Sequence, residues 1–333
     1  MKDKHILITG GTGVLGIYIV ETLLEEGFTN IGVFSKRGSN DSLSFARSPF
    51  VTFTKGDVSE LHPLTEAVER SDYIIHAAAI VSFHPKKFDL MHSVNVEGTA
   101  NVVNLALDSK VKKVIHISSI AAIGRSEKSG VISEKTSWGN SKYNSYYGIT
   151  KYLAEQEVWR AHHEGLNMVI VNPSLIMGGK AWGQSSLQIF KKVYEGLPYF
   201  TTGSTGIVDV KDVAKMILHL LQSDINGERY IASGGNISYK DLFQKMATFM
   251  DRKTPQKPAP KWMMSLFWRM EKVRSFLTGK EPIITRETVR SSSHLSSYNN
   301  QKSIDLGWGT YTYPNQTLEN YSKEYVAYRK NKK

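Results

Sequence analysis

Along the first two-thirds of the chain, short runs rich in apolar and β-branched residues alternate with stretches in which apolar residues return every three or four positions. The runs are His5 to Thr9, Ile31 to Phe34, Val51 to Lys55, Tyr73 to Ala77, Val114 to Ser118 and Met168 to Asn172. Between them the helical period occupies positions near 14–26, 61–69, 94–108 and 146–164. Such alternation predicts an α/β protein with a doubly wound parallel sheet, a Rossmann fold, whose ligands sit at the carboxyl ends of the strands. A further run, Glu228 to Ala232, reads as a strand returning to the same sheet. The expected division is 1–173 with 207–233 as the dinucleotide-binding domain, and 174–206 with 234–333 as a smaller, discontinuous substrate-binding domain. Lys253 to Pro260 reads as a linker, because its three prolines forbid a continuous helix.

The first strand runs straight into Gly10-Gly11-Thr12-Gly13-Val14-Leu15-Gly16 and then into a helical pattern. One glycine serves the tight turn, another lets backbone N–H groups approach a pyrophosphate at the helix N-terminus, and the last lets helix and strand pack closely. Gly10, Thr12, Gly13, Val14, Leu15 and Gly16 are therefore the expected contacts of a dinucleotide. Its ribose end is read about 20 residues further on. There the chain has Ser35-Lys36-Arg37, with no carboxylate until Asp41. Two cations and a hydroxyl suit a 2′-phosphate better than a bare diol, so NADP(H) is expected over NAD(H).

Chemistry belongs where strands end. Val114 to Ser118 closes on two hydroxyls, Ser118 and Ser119, and the helix beginning near Tyr146 carries Tyr147 and Lys151, four apart and on one face. A phenol with an ammonium beside it is a plausible proton donor and acceptor. A serine hydroxyl can hold the substrate oxygen near it while hydride passes to or from a nicotinamide. Tyr143 and Tyr146 lack the ammonium partner and read as wall or packing residues.

These stretches together resemble the extended short-chain dehydrogenase/reductase family, the NAD-dependent epimerase/dehydratase type. The resemblance spans most of the chain: Gly10-x-x-Gly13-x-x-Gly16, Asp57-Val58, His76-Ala77-Ala78-Ala79, Asn95-Val96-x-Gly98-Thr99, Ser118-Ser119, Tyr147-x-x-x-Lys151, Asn172-Pro173-Ser174 and Val208 to Ala214. It implies that Asp57 and Val58 border the adenine, that Ala77, Ala78 and Ala79 line the cofactor, and that Pro173 and Ser174 join them. It also implies that Ser119, Tyr147 and Lys151 are catalytic, with Tyr147 and Lys151 touching the cofactor as well. Asn95 matches the family's asparagine, and a structural role is expected for it.

Substrate class rests on absences. Sugar-nucleotide dehydratases of the family carry an acidic pair where this chain has Ile120-Ala121-Ala122, and epimerases carry arginines where it has Val171 to Gly178 and Gly203 to Gly206. Without those arginines a diphosphate loses its clamp. The same stretches look more like the dihydroflavonol 4-reductase and 3β-hydroxysteroid dehydrogenase branch, which implies reduction or oxidation of a small, rather apolar molecule. A nucleotide-sugar epimerase and, from another class, a non-catalytic NADP sensor stay open as alternatives. Met263, Leu266, Phe267, Met270 and Leu277 fall near one face of a helix from Trp262 to Leu277, with Met264 and Trp268 expected on its exposed side. That helix reads as a lid over substrate, as core packing of the small domain, or as a peripheral membrane contact.

Composition narrows the partners. The chain has 333 residues, 41% of them hydrophobic, and no cysteine, which excludes disulfides, thiolate catalysis and Cys-ligated metals. The first strand starts by His5, leaving no room for a signal peptide, and no apolar run reaches the roughly 18 residues of a membrane span. A cytoplasmic protein without stable membrane insertion is the expectation, and a homodimer stays open. The net charge of +11 comes from scattered residues and a terminal Arg329-Lys330-Asn331-Lys332-Lys333, read as a frayed basic tail. No nucleic-acid module accompanies that charge, so no nucleic-acid partner is expected. His76 and His116 read as packed, and His162-His163 lacks a third ligand, so no metal is expected.

Overall fold

The computed structural model describes residues 1–125, 130–139, 141–278 and 285–332. Seven parallel strands form the central sheet: β1 (Ile6–Thr9), β2 (Ile31–Ser35), β3 (Val51–Lys55), β4 (Tyr73–His76), β5 (Lys113–Ile117), β6 (Met168–Pro173) and β7 (Glu228–Ala232). Their order is β7-β6-β5-β4-β1-β2-β3, in parallel register throughout. The winding reverses between β1 and β4, and the crevice outside their carboxyl ends is where such sheets take ligands.

Alternate residues of β1 feed two cores, as the strand period of two requires. Ile6 and Ile8 join Val20 of α1 (Val14–Glu25) and Ile217 of a helix at Val210–Gln222 on one face. Leu7 joins Val68 of α2 (Leu61–Glu69), Val102 of α3 (Gly98–Asp108) and Val158 of α4 (Tyr146–His163) on the other.

The helix expected over 94–108 is interrupted. A short helix at Phe88–His92 passes through a wide π turn at Ser93–Glu97 before α3 begins. The turn carries the buried Asn95, whose Oδ1 accepts from Ile80 N at 2.7 Å and whose Nδ2 donates to Ile80 O and to Thr150 Oγ1. Asn95 thereby clamps the loop after β4 to α4.

A second sheet lies outside the first. Ser204–Asp209 pairs in parallel with Leu175–Met177 and antiparallel with Gly235–Ser238, so the division expected between 206 and 207 falls inside a strand. The expected linker is not bare either, since Lys257–Pro258 pairs with Tyr199–Phe200. The remaining helices used below are α5 (Lys261–Thr278), α6 (Arg286–Ser292) and α7 (Pro314–Asn331).

The basic tail is not frayed. α7 continues through Asn331, the Arg329 guanidinium sits 5.2 Å from the Tyr194 ring centre, and the Lys332 ammonium sits 5.1 Å from that of Tyr328. Cation–π contacts and helical continuation hold the charges that composition alone leaves loose; Lys333 lies outside the described residues. Asp209 caps the Val210 helix by accepting from Lys211 N at 2.9 Å and also accepts from Tyr321 Oη of α7 at 3.0 Å. Asp212 accepts from Thr312 N at 2.6 Å. The aspartates of Val208 to Ala214 thus fasten the C-terminal segment to the sheet domain.

Candidate active site

The glycine turn stands at the crevice between β1 and β4. Gly10 has φ +73°, and a Cβ on it would lie 2.7 Å from Ala78 N and 2.9 Å from Ala77 C. A Cβ on Gly16 would collide with Gly10 O, whereas one on Gly13 would meet only that oxygen, at 3.2 Å. Gly13 caps α1 without a side chain, leaving the helix's first N–H groups open to whatever enters the turn. Thr12 and Val14 are half-buried, while Leu15 packs into the core and offers the turn its backbone alone.

At the end of β2 the Ser35 hydroxyl is buried without a hydrogen-bond partner. Lys36 is exposed and its Nζ pairs with Asp57 Oδ2 at 2.9 Å, and Arg37 stands in solvent. Partial burial works against ionisation of Asp57, but hydrogen bonds from Lys36 and Ser59 outweigh it and hold the carboxyl below its ordinary value. Val58 is buried against Gly98, where a Cβ would press into its side chain. Ala77 and Ala78 are half-buried and Ala79 exposed; Ala78 N donates to Thr9 Oγ1 at 3.3 Å.

Ser119 follows β5, and its Oγ caps the turn at Ile120–Ile123 by accepting from Ala121 N at 3.1 Å. α4 starts against that turn. Ser145 caps it, accepting from Gly148 N at 2.9 Å, and a Cβ on Gly148 would lie 2.9 Å from Ala121 O, so only glycine allows the close approach. Of the two serine hydroxyls, Ser119's contacts the Tyr147 phenol, whereas Ser118's turns toward Glu155. Burial pushes the Tyr147 phenol up to about 12, the Ser119 contact partly offsetting it.

Lys151 is fully buried and donates from Nζ to Ile117 O at 2.8 Å. Burial brings its ammonium down to about 8, against the opposing pull of Glu155. Pro173 and the buried Ser174 close β6, where Ser174 N donates to Ala232 O at 2.9 Å and its Oγ has no partner.

Sequence reasoning missed the support beneath these groups. Glu155, one turn beyond Lys151, is fully buried; its Oε1 accepts from Asn172 Nδ2 at 2.5 Å and its Oε2 lies 3.4 Å from Arg229 Nη1. Asn172 Nδ2 also donates to Ser119 O at 3.0 Å, which ties the Lys151 side of the site to the Ser119 turn. The spacing of four between Lys151 and Glu155 was the available signal. Glu287 of α6 was missed too. Its Oε1 accepts from Tyr146 N at 2.5 Å, and burial pushes its carboxyl up to about 7, with Arg125 opposing.

Tyr143 packs on His294 with ring centres 4.5 Å apart, and Tyr146 on Phe88 at 5.4 Å. His76 bonds Thr9 Oγ1 at 2.6 Å and Thr99 Oγ1 at 3.0 Å, and burial, with the Lys151 charge, lowers it to about 3. Its ring meets that of His116, also buried, at 5.3 Å. A cavity of about 1020 Å³ bounded by Trp138, Tyr152, Trp159, Arg229 and Lys302 holds none of Ser119, Tyr147 and Lys151. Those three side chains stand instead at the end of β5.

α5 departs from expectation. Trp262, Leu266, Phe267, Met270, Val273 and Leu277 are exposed, and Met264 and Trp268, expected outward, are half-buried. The reversal comes from α6, against which α5 packs through a cleft containing Ser265 and Trp268.

The pattern of the NAD dependent epimerase/dehydratase family matches residues 6–232. The chain is 28% identical over 313 residues to a putative dihydroflavonol 4-reductase of Synechocystis sp., covering 90% of this chain and 88% of that protein. It is 27% identical over 275 residues to cinnamoyl-CoA reductase 1 of Petunia hybrida, covering 78% of this chain and 80% of the relative. The crystal structure of gox2253 superposes with a TM-score of 0.81 at 26% identity, over 99% of each chain.

Proposed function

The chain belongs to the NAD dependent epimerase/dehydratase family, and from that premise we propose that it is an NADP(H)-dependent oxidoreductase interconverting a carbonyl and an alcohol on a small, rather apolar substrate. The observation that carries the reading is the convergence of the Tyr147 phenol, the Ser119 hydroxyl and the buried Lys151 ammonium at the end of β5. Two strands away, the glycine turn opens at the end of β1.

The residues around the turn fit a dinucleotide. Backbone N–H groups at the start of α1 suit the pyrophosphate, and the unpartnered Ser35 hydroxyl with exposed Lys36 and Arg37 suits a 2′-phosphorylated ribose. Asp57, Val58, Ala77, Ala78, Ala79, Pro173 and Ser174 border the remainder. When bound, the nicotinamide supplies or accepts the hydride.

The chain's own residues handle the oxygen and its proton. Ser119 holds the substrate oxygen, and Tyr147 delivers a proton to it during reduction or removes one during oxidation. Burial keeps the phenol of the free enzyme protonated, so the proton needed for reduction is in place. Lys151, fixed on the Ile117 carbonyl, places a positive charge at the base of the site and stabilises the phenolate left after donation. Arg125 donates to Tyr143 O at 3.3 Å and faces Glu287, so it is committed within the protein. No diphosphate clamp is assembled from it, and residues 174–206 with 234–333 are left to enclose a less charged substrate.

The test is consumption of added NADPH with a panel of apolar aldehydes and ketones. The reading predicts equimolar NADP⁺ and alcohol. An epimerase returns its hydride and consumes no added cofactor, and a sensor binds NADPH without turnover.

A further inference from the structure

The proposed reduction makes no use of the outward face of α5. Trp262, Leu266, Met270, Val273 and Leu277 are 70, 50, 57, 58 and 75% exposed. At about 100° per residue they fall within an arc of roughly 80°, with the exposed Phe267 about 60° beyond it. A helix that only packs a domain turns such an arc inward. Here the arc faces water, and an apolar strip of this length marks an interaction surface.

Charge identifies what the strip meets. The helix's single carboxylate, Glu271, lies across from the arc and is bound to Arg274 at 2.8 Å. Exposed Arg269 and Lys272 flank the arc on one side. Between α5 and α6, three guanidinium side chains, Arg269, Arg286 and Arg290, line a cleft of about 390 Å³ together with Trp268. From 253 to 290 the sequence carries nine Lys and Arg against three Glu, a net +6 out of the chain's +11. More than half of the net charge therefore falls in this one stretch of sequence.

We propose that α5 lies in the surface of an anionic lipid bilayer. Its apolar arc enters the boundary between headgroups and acyl chains, and the cleft formed by Arg269, Arg286 and Arg290 receives headgroup phosphates. A second copy of the chain is a poor occupant. An 18-residue helix is about 27 Å long, and a strip about 10 Å wide covers roughly 270 Å², well short of the ~800 Å² per partner of a stable interface. Glu287 of α6 bonds the backbone of Tyr146, next to Tyr147, so docking brings the substrate side of the site to the membrane. That consequence, delivery of an apolar carbonyl compound from the bilayer, rests on the proposed reduction; the docking does not.

The test is sedimentation of the full chain with vesicles of phosphatidylcholine, alone or mixed with phosphatidylglycerol. The expected result is at least about tenfold tighter binding to the anionic vesicles, weakening as salt rises. Leu266→Asp combined with Met270→Asp is expected to lower that binding at least about tenfold while leaving melting temperature and NADPH affinity unchanged. Arg286→Ala with Arg290→Ala is expected to remove the anionic preference by about fivefold per cation. Absence of binding to anionic vesicles at low salt, or binding indifferent to the arc substitutions, overturns the proposal. So does a lipid-free dimer that the Leu266 and Met270 substitutions dissolve, which would assign the face to a second copy.

Discussion

Around Lys151 charged and amide side chains are buried and held by hydrogen bonds, whereas along α5 apolar groups stand in water. Lys151, Glu155 and Asn172 have almost no exposure, and each is held by a named partner: Ile117 O, Asn172 Nδ2 and the Ser119 carbonyl. On α5 Trp262, Leu266, Met270, Val273 and Leu277 stand exposed, and the half-buried positions include Ser265, Glu271 and Arg274. Each arrangement lowers stability relative to a plain alternative, since burying charges costs desolvation and exposing apolar surface forgoes its burial. A departure from the stable choice points to function. On the readings proposed above, the buried region serves chemistry and the exposed one contact.

The comparison breaks first at Glu155. Glu155→Ala leaves Lys151, Arg229 and Asn172 facing an empty, dry position, and a loss of about 3–5 kcal/mol in urea unfolding is expected. A loss near zero would mean that the carboxylate holds nothing together.

Lys151 gives the next largest effect. Its folded pKa of about 8 lies below the ordinary 10.5, so between those values the unfolded chain keeps a proton that the folded one has lost. The sign follows: across that window the group's contribution to folding stability rises with pH, while the ammonium available to the cofactor disappears. NADPH affinity measured by fluorescence titration is expected to fall as pH passes 8. In Glu155→Gln the fall should begin at lower pH, because the carboxylate supports the charged lysine. A pH-independent affinity would contradict this placement of the ammonium.

Lys36 and Arg37 sharpen the contrast, both being exposed cations, with the Lys36–Asp57 pair a surface pair worth little to stability. Replacing both by Ala should reduce the preference for NADPH over NADH by about tenfold or more with unchanged melting temperature, and the wild-type preference should shrink as salt rises. Equal affinities of the wild type for the two cofactors would remove the 2′-phosphate assignment. The smallest effect belongs to α5, where Leu266→Ser with Met270→Ser should change unfolding free energy by no more than about 0.5 kcal/mol. A loss of several kcal/mol would show that the arc packs against the domain after all.

What was legible in the sequence follows the same divide. The strand, glycine turn and helix at Ile6 to Glu25 could be read because a change of period flanks residues with special backbone needs. Tyr147 and Lys151 could be read because a spacing of four puts them on one helix face. The π turn at Asn95 was hidden, since the apolar period runs through it unbroken. The second sheet was hidden because Leu175–Met177 is three residues long and its partner opens with Ser204, Thr205 and Gly206, which resemble a turn. Glu287 reaches Tyr146 across 141 positions, a distance over which periodicity carries no information. Periodicity also found the apolar face of α5 but could not say which way it points; packing against α6 decides that, and it places Met264 and Trp268 opposite to expectation.

The central claim is that Tyr147 delivers the proton in a reduction paid for by external NADPH, and Tyr147→Phe tests it most directly. The substitution removes one hydroxyl and keeps the ring, so NADPH affinity and melting temperature are expected to match the wild type while NADPH-dependent turnover of an accepted carbonyl substrate falls by about two to four orders of magnitude. Turnover near the wild-type rate in Tyr147→Phe would contradict the assignment and the mechanism built on it.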